Sequence, residues 1–176
     1  MNRNKLLNEA QRAIERQQYD RAIRAYRSLL HHSPNDHKLL LKLAELYLRV
    51  RDLNSALSLY HKIANTYLQQ GDHNKVTSVY KLIIKLSSTD VISRSYLLKA
   101  ALSQGTLEDV VQLLWPLIKS YDASGDSKRA IETLETVYQY FPHLLDVRST
   151  LAERSLEEGK VEQASIHLHY LFQHHI

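Results

Sequence analysis

The sequence of 176 residues contains no cysteine, and this absence excludes several classes of protein. A chain without thiols has no disulfide scaffold, no cysteine nucleophile and no zinc site built on cysteine, and it favours a reducing compartment. Glycine and proline are also scarce, with 4 and 3 residues, which argues against a disordered chain. The composition is typical of a helix-rich globular protein.

Long apolar runs are missing as well. No stretch approaches the roughly 18 apolar residues that a membrane-spanning helix needs. The first residues, MNRNKLLNEAQRAIERQQ, hold no apolar run of signal-peptide length. Signatures of phosphate loops, dinucleotide sites, serine hydrolases and zinc proteases are also absent. We expect a soluble cytoplasmic protein that is not an enzyme and that uses no cofactor and no metal.

Charge is distributed unevenly along the chain. Residues 1–70 hold 12 Lys and Arg against 6 Asp and Glu, whereas residues 125–176 hold 5 against 8. The basic patch predicted in the first helical hairpin consists of Arg12, Arg16, Arg21, Arg24 and Arg27. Such a patch suits the steering of an acidic partner. The alternative is RNA binding, which also needs exposed aromatic rings for base stacking.

The spacing of the glycines reveals an internal repeat. They stand at positions 71, 105, 125 and 159, so the intervals are 34, 20 and 34. The same spacing, extended backwards, reaches polar breaks at positions 51 and 17. We predict a 54-residue super-repeat of three helices, with copies at 17–70, 71–124 and 125–176 after a first helix at 1–16.

The three copies agree residue by residue. The repeated apolar positions are Ala22, Val76 and Ala130, then Tyr26, Tyr80 and Leu134, then Leu29, Ile83 and Val137. Helices are predicted near 3–16, 19–32, 37–50, 53–70, 73–87, 91–104, 107–123, 127–140, 145–158 and 161–174, since apolar residues recur there at helical spacing. Glycine ends a helix readily, and Asp72, Thr106 and Asp126 directly after a glycine are expected to cap the next helix.

These motifs resemble the tetratricopeptide repeat. Ala22, Tyr26, Leu29 and Pro34 are similar to the second helix of that repeat, and LLLKLAELYLRVRD at 39–52 is similar to its first helix and elbow. The resemblance implies an all-α solenoid of about ten helices in one domain over residues 1–176. It also implies a protein–protein interaction scaffold or adaptor. The 20-residue steps depart from the family pattern, and there one longer helix, at 53–70 and again at 107–123, serves two repeats.

In such folds the concave groove receives a peptide or a partner domain. The groove positions carried over by repeat register, together with two on the shared helix, are Leu41, Glu45, Leu48, Ser95, Lys99, Leu102, Trp115 and Lys119. Apolar residues there suit an amphipathic helix or an extended peptide. Two alternatives stay open: some of these side chains point into a neighbouring helix, and Trp115 is core rather than groove. Pro116 is expected to kink its helix.

The last predicted helix, VEQASIHLHYLFQHHI, is apolar on all sides. A terminal repeat needs a polar outer face to stay soluble, and this helix offers none. We therefore predict a C-terminal self-association patch that includes Ile166, Tyr170 and Phe172. The patch is expected to be covered by a second copy in a two-fold dimer, by a partner, or by further repeats.

Overall fold

The computed structural model describes residues 3–104 and 106–174, and within them it consists of ten α-helices with no strand. The helices are α1 (Arg3–Glu15), α2 (Tyr19–His32), α3 (His37–Arg49), α4 (Leu53–Gln69), α5 (His73–Leu86), α6 (Val91–Gln104), α7 (Leu107–Ala123), α8 (Ser127–Tyr140), α9 (Leu145–Glu157) and α10 (Val161–His174). Their ends agree with the predicted ends to within one residue. The all-α class is confirmed.

The elbows of the hairpins share one backbone conformation. The residues with positive φ are Gln17, Arg51, Gly71, Gly125 and Gly159, with φ between 56° and 73°. These are the break positions predicted from the glycine spacing; Gly105, the remaining one, lies outside the described residues. Because an L side chain is disfavoured at such φ, glycine is the default residue there. Gln17 and Arg51 adopt the same conformation without that advantage.

Aspartate side chains begin several of the helices. The Asp72 carboxylate accepts a hydrogen bond from the Lys75 amide, and that of Asp126 from the Arg129 amide, so both predicted caps are confirmed. Thr106 occupies the predicted N-cap position of α7, but its side chain makes no capping hydrogen bond. The Thr106 hydroxyl donates instead to the Ala101 carbonyl of the preceding helix, at 3.4 Å.

The helices form two compact units, one up to Ser88 and one from Thr89 on. In the first unit α1 to α5 pack pairwise in chain order, and in the second unit α6 to α10 do the same. Helices α4 and α7 each contact the helix on either side, as the other inner helices of their units do, so their role in serving two repeats stays a prediction. The organisation as one domain over residues 1–176 stays a prediction.

Corresponding helices begin at a constant distance along the chain. The first residues of α3, α6 and α9 are 54 residues apart, and so are those of α4, α7 and α10. Residues 54 positions apart are called corresponding residues below. The nine repeated apolar positions on α2, α5 and α8 are all buried, at 6% exposure or less. The three-helix super-repeat as a packing unit stays a prediction. None of the described helices is long and apolar enough to cross a membrane.

Candidate functional site

The predicted groove residues of the first unit lie on one face of α3. Leu41, Glu45 and Leu48 are spaced by four and three residues, so they share that face. The two leucines are half-buried and Glu45 is exposed. The face therefore presents a carboxylate between two partly accessible apolar side chains.

Glu45 has a defined electrostatic environment. Its carboxylate accepts a hydrogen bond from the Lys42 ammonium at 2.9 Å, and this bond raises the pKa of Lys42. Burial, with a smaller contribution from the Glu45 charge, raises the pKa of Tyr60. Burial is also the main cause of the raised pKa of Tyr26. The carboxylate of Glu45 thus lies near two tyrosine hydroxyls that stay protonated at neutral pH.

The predicted groove residues on α6 divide between surface and core. Lys99 is exposed. Ser95 is half-buried. Its hydroxyl donates to the Val91 carbonyl at 2.8 Å and lies 3.2 Å from the Tyr121 hydroxyl. Leu102 is only 4% exposed and belongs to the apolar core of the second unit. The structure therefore places Leu102 in the core, where α7 and α8 also contribute side chains.

Trp115 lies partly in the core and partly at the surface, the two options that the sequence left open. The ring packs against the core of the second unit but is only half-buried, while the neighbouring Leu114 and Leu117 are fully buried. Lys119, four residues later on the same face, is exposed. Helix α7 continues through Pro116 without interruption; the kink expected there stays a prediction. Trp115 thus presents part of an aromatic ring to solvent beside a lysine.

Three of the five predicted basic-patch arginines come together in one place. Arg12, Arg16 and Arg21 line a cleft of about 590 Å³ between α1 and α2, and Lys5 joins them. Arg21 is paired with Glu9 at 3.0 Å. Arg24 and Arg27 are exposed on α2 outside this cleft. The cleft, lined by Lys5, Asn4, Asn8, Glu9, Arg12, Ala13, Arg16, Gln18 and Arg21, is therefore basic but carries no aromatic ring.

The predicted self-association residues do not share one surface of α10. Ile166 and Phe172 are exposed by 62% and 69%, but at about 100° per residue they lie roughly 120° apart around the helix. Tyr170 is half-buried, and its hydroxyl lies 2.7 Å from Nδ1 of His143. Phe172 instead shares a face with Leu168, which is 45% exposed. The three residues named for the predicted patch do not include Leu168, although it is four residues before Phe172.

Arg148 is a buried residue that the sequence-based reasoning missed. Its guanidinium lies over the Tyr170 ring at 3.6 Å and over the Tyr138 ring at 4.8 Å from the ring centroids. Its Nε donates to the Pro142 carbonyl. The arginine therefore joins α8, α9 and α10 through cation–π contacts. A charged residue between the apolar positions Val147 and Leu151 was the available signal.

Within the ranges 3–104 and 106–174, no three acidic or histidine side chains converge closely enough to hold a metal ion. Three histidines near the loop between α2 and α3 are engaged with other rings. His31 and His32 contact each other edge to face, and His37 stacks on Tyr67 with ring centroids 4.8 Å apart. The histidines of this region take part in aromatic packing.

Comparison with known families agrees with the repeat. A tetratricopeptide-repeat model matches residues 13–69, and a second one matches residues 57–90. The two ranges overlap inside α4, the helix that we predict to serve two repeats. No curated protein matches the chain.

The solved structures that match this chain are distant from it in sequence. TTC0263, a thermophilic tetratricopeptide-repeat protein of Thermus thermophilus, is 20% identical, with 98% of this chain and 92% of that chain covered and a TM-score of 0.37. YrrB, a tetratricopeptide-repeat protein with an unusual peptide-binding site, is 13% identical, with coverages of 82% and 89% and a TM-score of 0.32. MamA from Desulfovibrio magneticus RS-1 is 13% identical, with coverages of 97% and 93% and a TM-score of 0.33.

The assignment rests on the ten helices, on the elbows at the predicted breaks and on the two matching family models. Residues 13–90 of the chain carry tetratricopeptide repeats, and members of this repeat family act as scaffolds for protein–protein interaction.

Proposed function

We propose that this chain is a non-catalytic scaffold that docks a peptide or a partner domain on the exposed faces of its hairpins. The observation that carries the proposal is Trp115, a half-buried aromatic ring beside the exposed Lys119. Tryptophan is enriched among residues that dominate binding energy, because it offers a large apolar area at a small cost in entropy. We place the scaffold in the cytoplasm, a reducing compartment that a chain without cysteine favours.

The first unit supports the same proposal with a different chemistry. The face formed by Leu41, Glu45 and Leu48 offers two half-buried leucines around a charged pair, Lys42 and Glu45. The leucines would contribute apolar contact, whereas the exposed ion pair contributes little to stability and is free to rearrange towards a partner. This face therefore suits an amphipathic helix or an extended peptide.

The basic cleft between α1 and α2 suits the approach of an acidic partner. Lys5, Arg12 and Arg16 line it, and Arg21 adds a guanidinium that Glu9 partly neutralises. Such a surface accelerates association and makes the rate fall with salt. RNA binding is less well supported, because Tyr26 on α2 is only 6% exposed and is not available for base stacking.

The test is affinity capture by the full chain, followed by mass spectrometry, with and without nuclease. Trp115→Ala and Lys119→Glu are expected to lose the same set of captured proteins, and nuclease is expected to leave that set unchanged. Asp109→Ala is the matched control and is expected to keep the full set, since Asp109 is exposed on another side of α7, about 120° from Trp115 around the helix. Circular dichroism checks that each variant keeps its helical content.

Three results would contradict the proposal. Loss of all captured proteins after nuclease would favour the RNA-associated alternative, especially if binding also fell steeply with salt. Equal capture by the wild type, Trp115→Ala and Lys119→Glu would remove this face from the binding surface. Loss of helical content in Trp115→Ala together with normal capture by Lys119→Glu would show that the tryptophan only supports the core.

A further inference from the structure

The last hairpin exposes apolar residues whose counterparts in the preceding hairpin are buried. Leu168 and Phe172 on α10 are 45% and 69% exposed, whereas the corresponding Leu114 and Ile118 on α7 are 0% and 4% exposed. The same contrast holds on the first helices of the two hairpins, where Leu156 is 49% exposed and the corresponding Leu102 is 4% exposed. Both hairpins belong to the second unit.

The contrast arises from the helix that follows the earlier hairpin. Both α7 and α10 pack on the first helix of their own hairpin, but α7 also contacts α8. Helix α8 contributes Ala130, Leu134 and Val137 to the cluster that contains Leu102, Leu114 and Ile118. An amphipathic helix therefore covers this face in the α6–α7 hairpin, and no described helix covers it in the α9–α10 hairpin.

The uncovered face forms an open groove between α9 and α10. Its volume is about 780 Å³, and it is lined by Leu145, Asp146, Ser149, Leu168, His169, Leu171 and Phe172. Nearer the elbow, Leu156 and Val161 are also exposed apolar residues. The lining residues therefore span positions 145–149 of α9 and 168–172 of α10, and four of the seven are apolar.

The helices that cover the corresponding faces show what fits. In the second unit α8 presents Ala130, Leu134 and Val137, and in the first unit α5, which packs on α4, presents Val76, Tyr80 and Ile83. Both helices place a small or β-branched residue first and larger apolar residues four and seven positions later. This spacing puts the three side chains on one helical face.

The charge around the groove determines which amphipathic helices it favours. Asp146 lines the groove, and Glu153 lies on the same face of α9 as Ser149 and Leu156, because four and three residues separate them. Residues 125–176 hold 8 acidic against 5 basic side chains. A helix with lysine or arginine beside its apolar face is therefore favoured over an acidic one.

We propose that the groove between α9 and α10 is a docking site for an amphipathic helix of another polypeptide. That helix carries a small or β-branched residue followed four and seven positions later by larger apolar residues, and it has basic flanks. The site goes beyond the proposed scaffold surfaces, since it involves neither Trp115 nor the face of Leu41, Glu45 and Leu48. It uses the packing by which α5 and α8 cover the hairpins before them.

Two synthetic peptides from this chain serve as probes for the groove of the full-length protein. The α5 peptide, residues 72–88, has three lysines and one aspartate, whereas the α8 peptide, residues 126–142, has two basic and three acidic residues. Both carry the apolar spacing. Isothermal titration at low salt is expected to show saturable one-to-one binding of the α5 peptide and weaker binding of the α8 peptide.

Variants of α10 locate the binding. Leu168→Glu and Phe172→Glu are each expected to weaken binding of the α5 peptide by about tenfold or more, because they put a charge into an apolar contact. Ile166→Glu is the matched control: its side chain is 62% exposed on another face of the same helix, and its binding is expected to stay within about twofold of the wild type. Since all three residues are substantially exposed, the fold should survive, which circular dichroism checks.

Three outcomes would overturn the proposal. One is absence of saturable binding by either peptide, and another is an equal loss for Ile166→Glu and Phe172→Glu. The third is a concentration-dependent dimer in sedimentation velocity that Leu168→Glu dissociates and the α5 peptide does not compete with, which would make a second copy the occupant. Trp115→Ala leaves the groove between α9 and α10 intact. The capture experiment on Trp115 can therefore fail while the α5 peptide still binds, and peptide binding can fail while capture succeeds, so the two proposals are tested separately.

Discussion

Helices α3 and α9 begin 108 residues apart, at corresponding positions of the repeat, and one position that is buried in both carries an aliphatic side chain in α3 and a charged one in α9. Leu40 in α3 is 1% exposed, and the corresponding Arg148 in α9 is 6% exposed. Leucine contributes by apolar burial alone. The arginine lies between the rings of Tyr138 and Tyr170 and donates to the Pro142 carbonyl. One repeat position can therefore be filled by an aliphatic side chain or by a cation enclosed by aromatic rings.

This difference shows where the stability of the second unit depends on solution conditions. Loss of the leucine leaves a cavity, whatever the solution conditions. The arginine belongs to a polar and aromatic cluster with Tyr138, Tyr170 and His167, in which the His167 ring meets the Tyr138 ring edge to face at 5.0 Å. Packing of α10 thus involves a cation and a group that can bind a proton, whereas the Leu40 side chain is neither.

The largest effect is expected from Leu40→Ala. Removal of a fully buried leucine side chain in α3 should lower the free energy of unfolding by about 2–5 kcal/mol, through lost burial and the cavity left behind. Urea unfolding followed by far-ultraviolet circular dichroism measures the change. Leu41→Ala, one residue later and half-buried, should cost less than half as much. Equal losses in the two variants would contradict the assignment of Leu40 to the core.

A smaller loss is expected from Arg148→Ala, of about 2 kcal/mol, because two cation–π contacts and one charged hydrogen bond disappear. Hydrogen exchange should show faster exchange in α10 than in α6, since Tyr170 of α10 loses its contact with the guanidinium. Arg148→Lys is the matched control. It keeps the charge but not the flat guanidinium, so it should recover only part of the loss. Full recovery by lysine would show that charge alone matters.

The smallest effect is a loss of stability in mild acid. Burial, helped by the positive charge of Arg148, lowers the pKa of His167 below its ordinary value of 6.5. Nδ1 of His167 is buried and has no hydrogen-bond partner among the described residues. Since the folded state takes up this proton less readily than the unfolded state, stability is full above pH 6.5 and falls as the pH drops from there towards the lowered pKa.

Urea midpoints measured across this pH range test the effect. His167→Phe should remove this part of the pH dependence, because it keeps an aromatic ring beside Tyr138 but cannot bind a proton. His143 and His174, which contact Tyr170, remain in the variant and serve as the internal control. If the midpoint of His167→Phe falls with pH as steeply as that of the wild type, another group is responsible.

The fold was predictable because its signals are local. Glycine spacing marked the elbows, and Asp72 and Asp126 provided carboxylates where amides at a helix start need acceptors. Thr106 offered the same kind of oxygen, but its hydroxyl can also donate, and it donates to the Ala101 carbonyl. Local sequence could not decide between these two bonds, because the choice depends on the preceding helix.

The candidate site was predictable only in part, because repeat register does not say which neighbour covers a side chain. Leu102 was assigned to the groove from its register, and the structure buries it where α7 and α8 also contribute side chains. The corresponding Leu156 is exposed. Tyr170 and Phe172 are close in sequence but lie on opposite sides of α10, a difference that follows from helical geometry once the buried face is known.

Gln17 and Arg51 bear on how this chain could be strengthened. Each holds the left-handed backbone that glycine holds at three later elbows, and a side chain in that conformation costs about 1–2 kcal/mol. In the hairpins α1–α2 and α3–α4, the elbow residue therefore adopts a backbone conformation that is unfavourable for its residue type. Gln17→Gly and Arg51→Gly would therefore relieve backbone strain and stabilise this scaffold without changing any buried side chain.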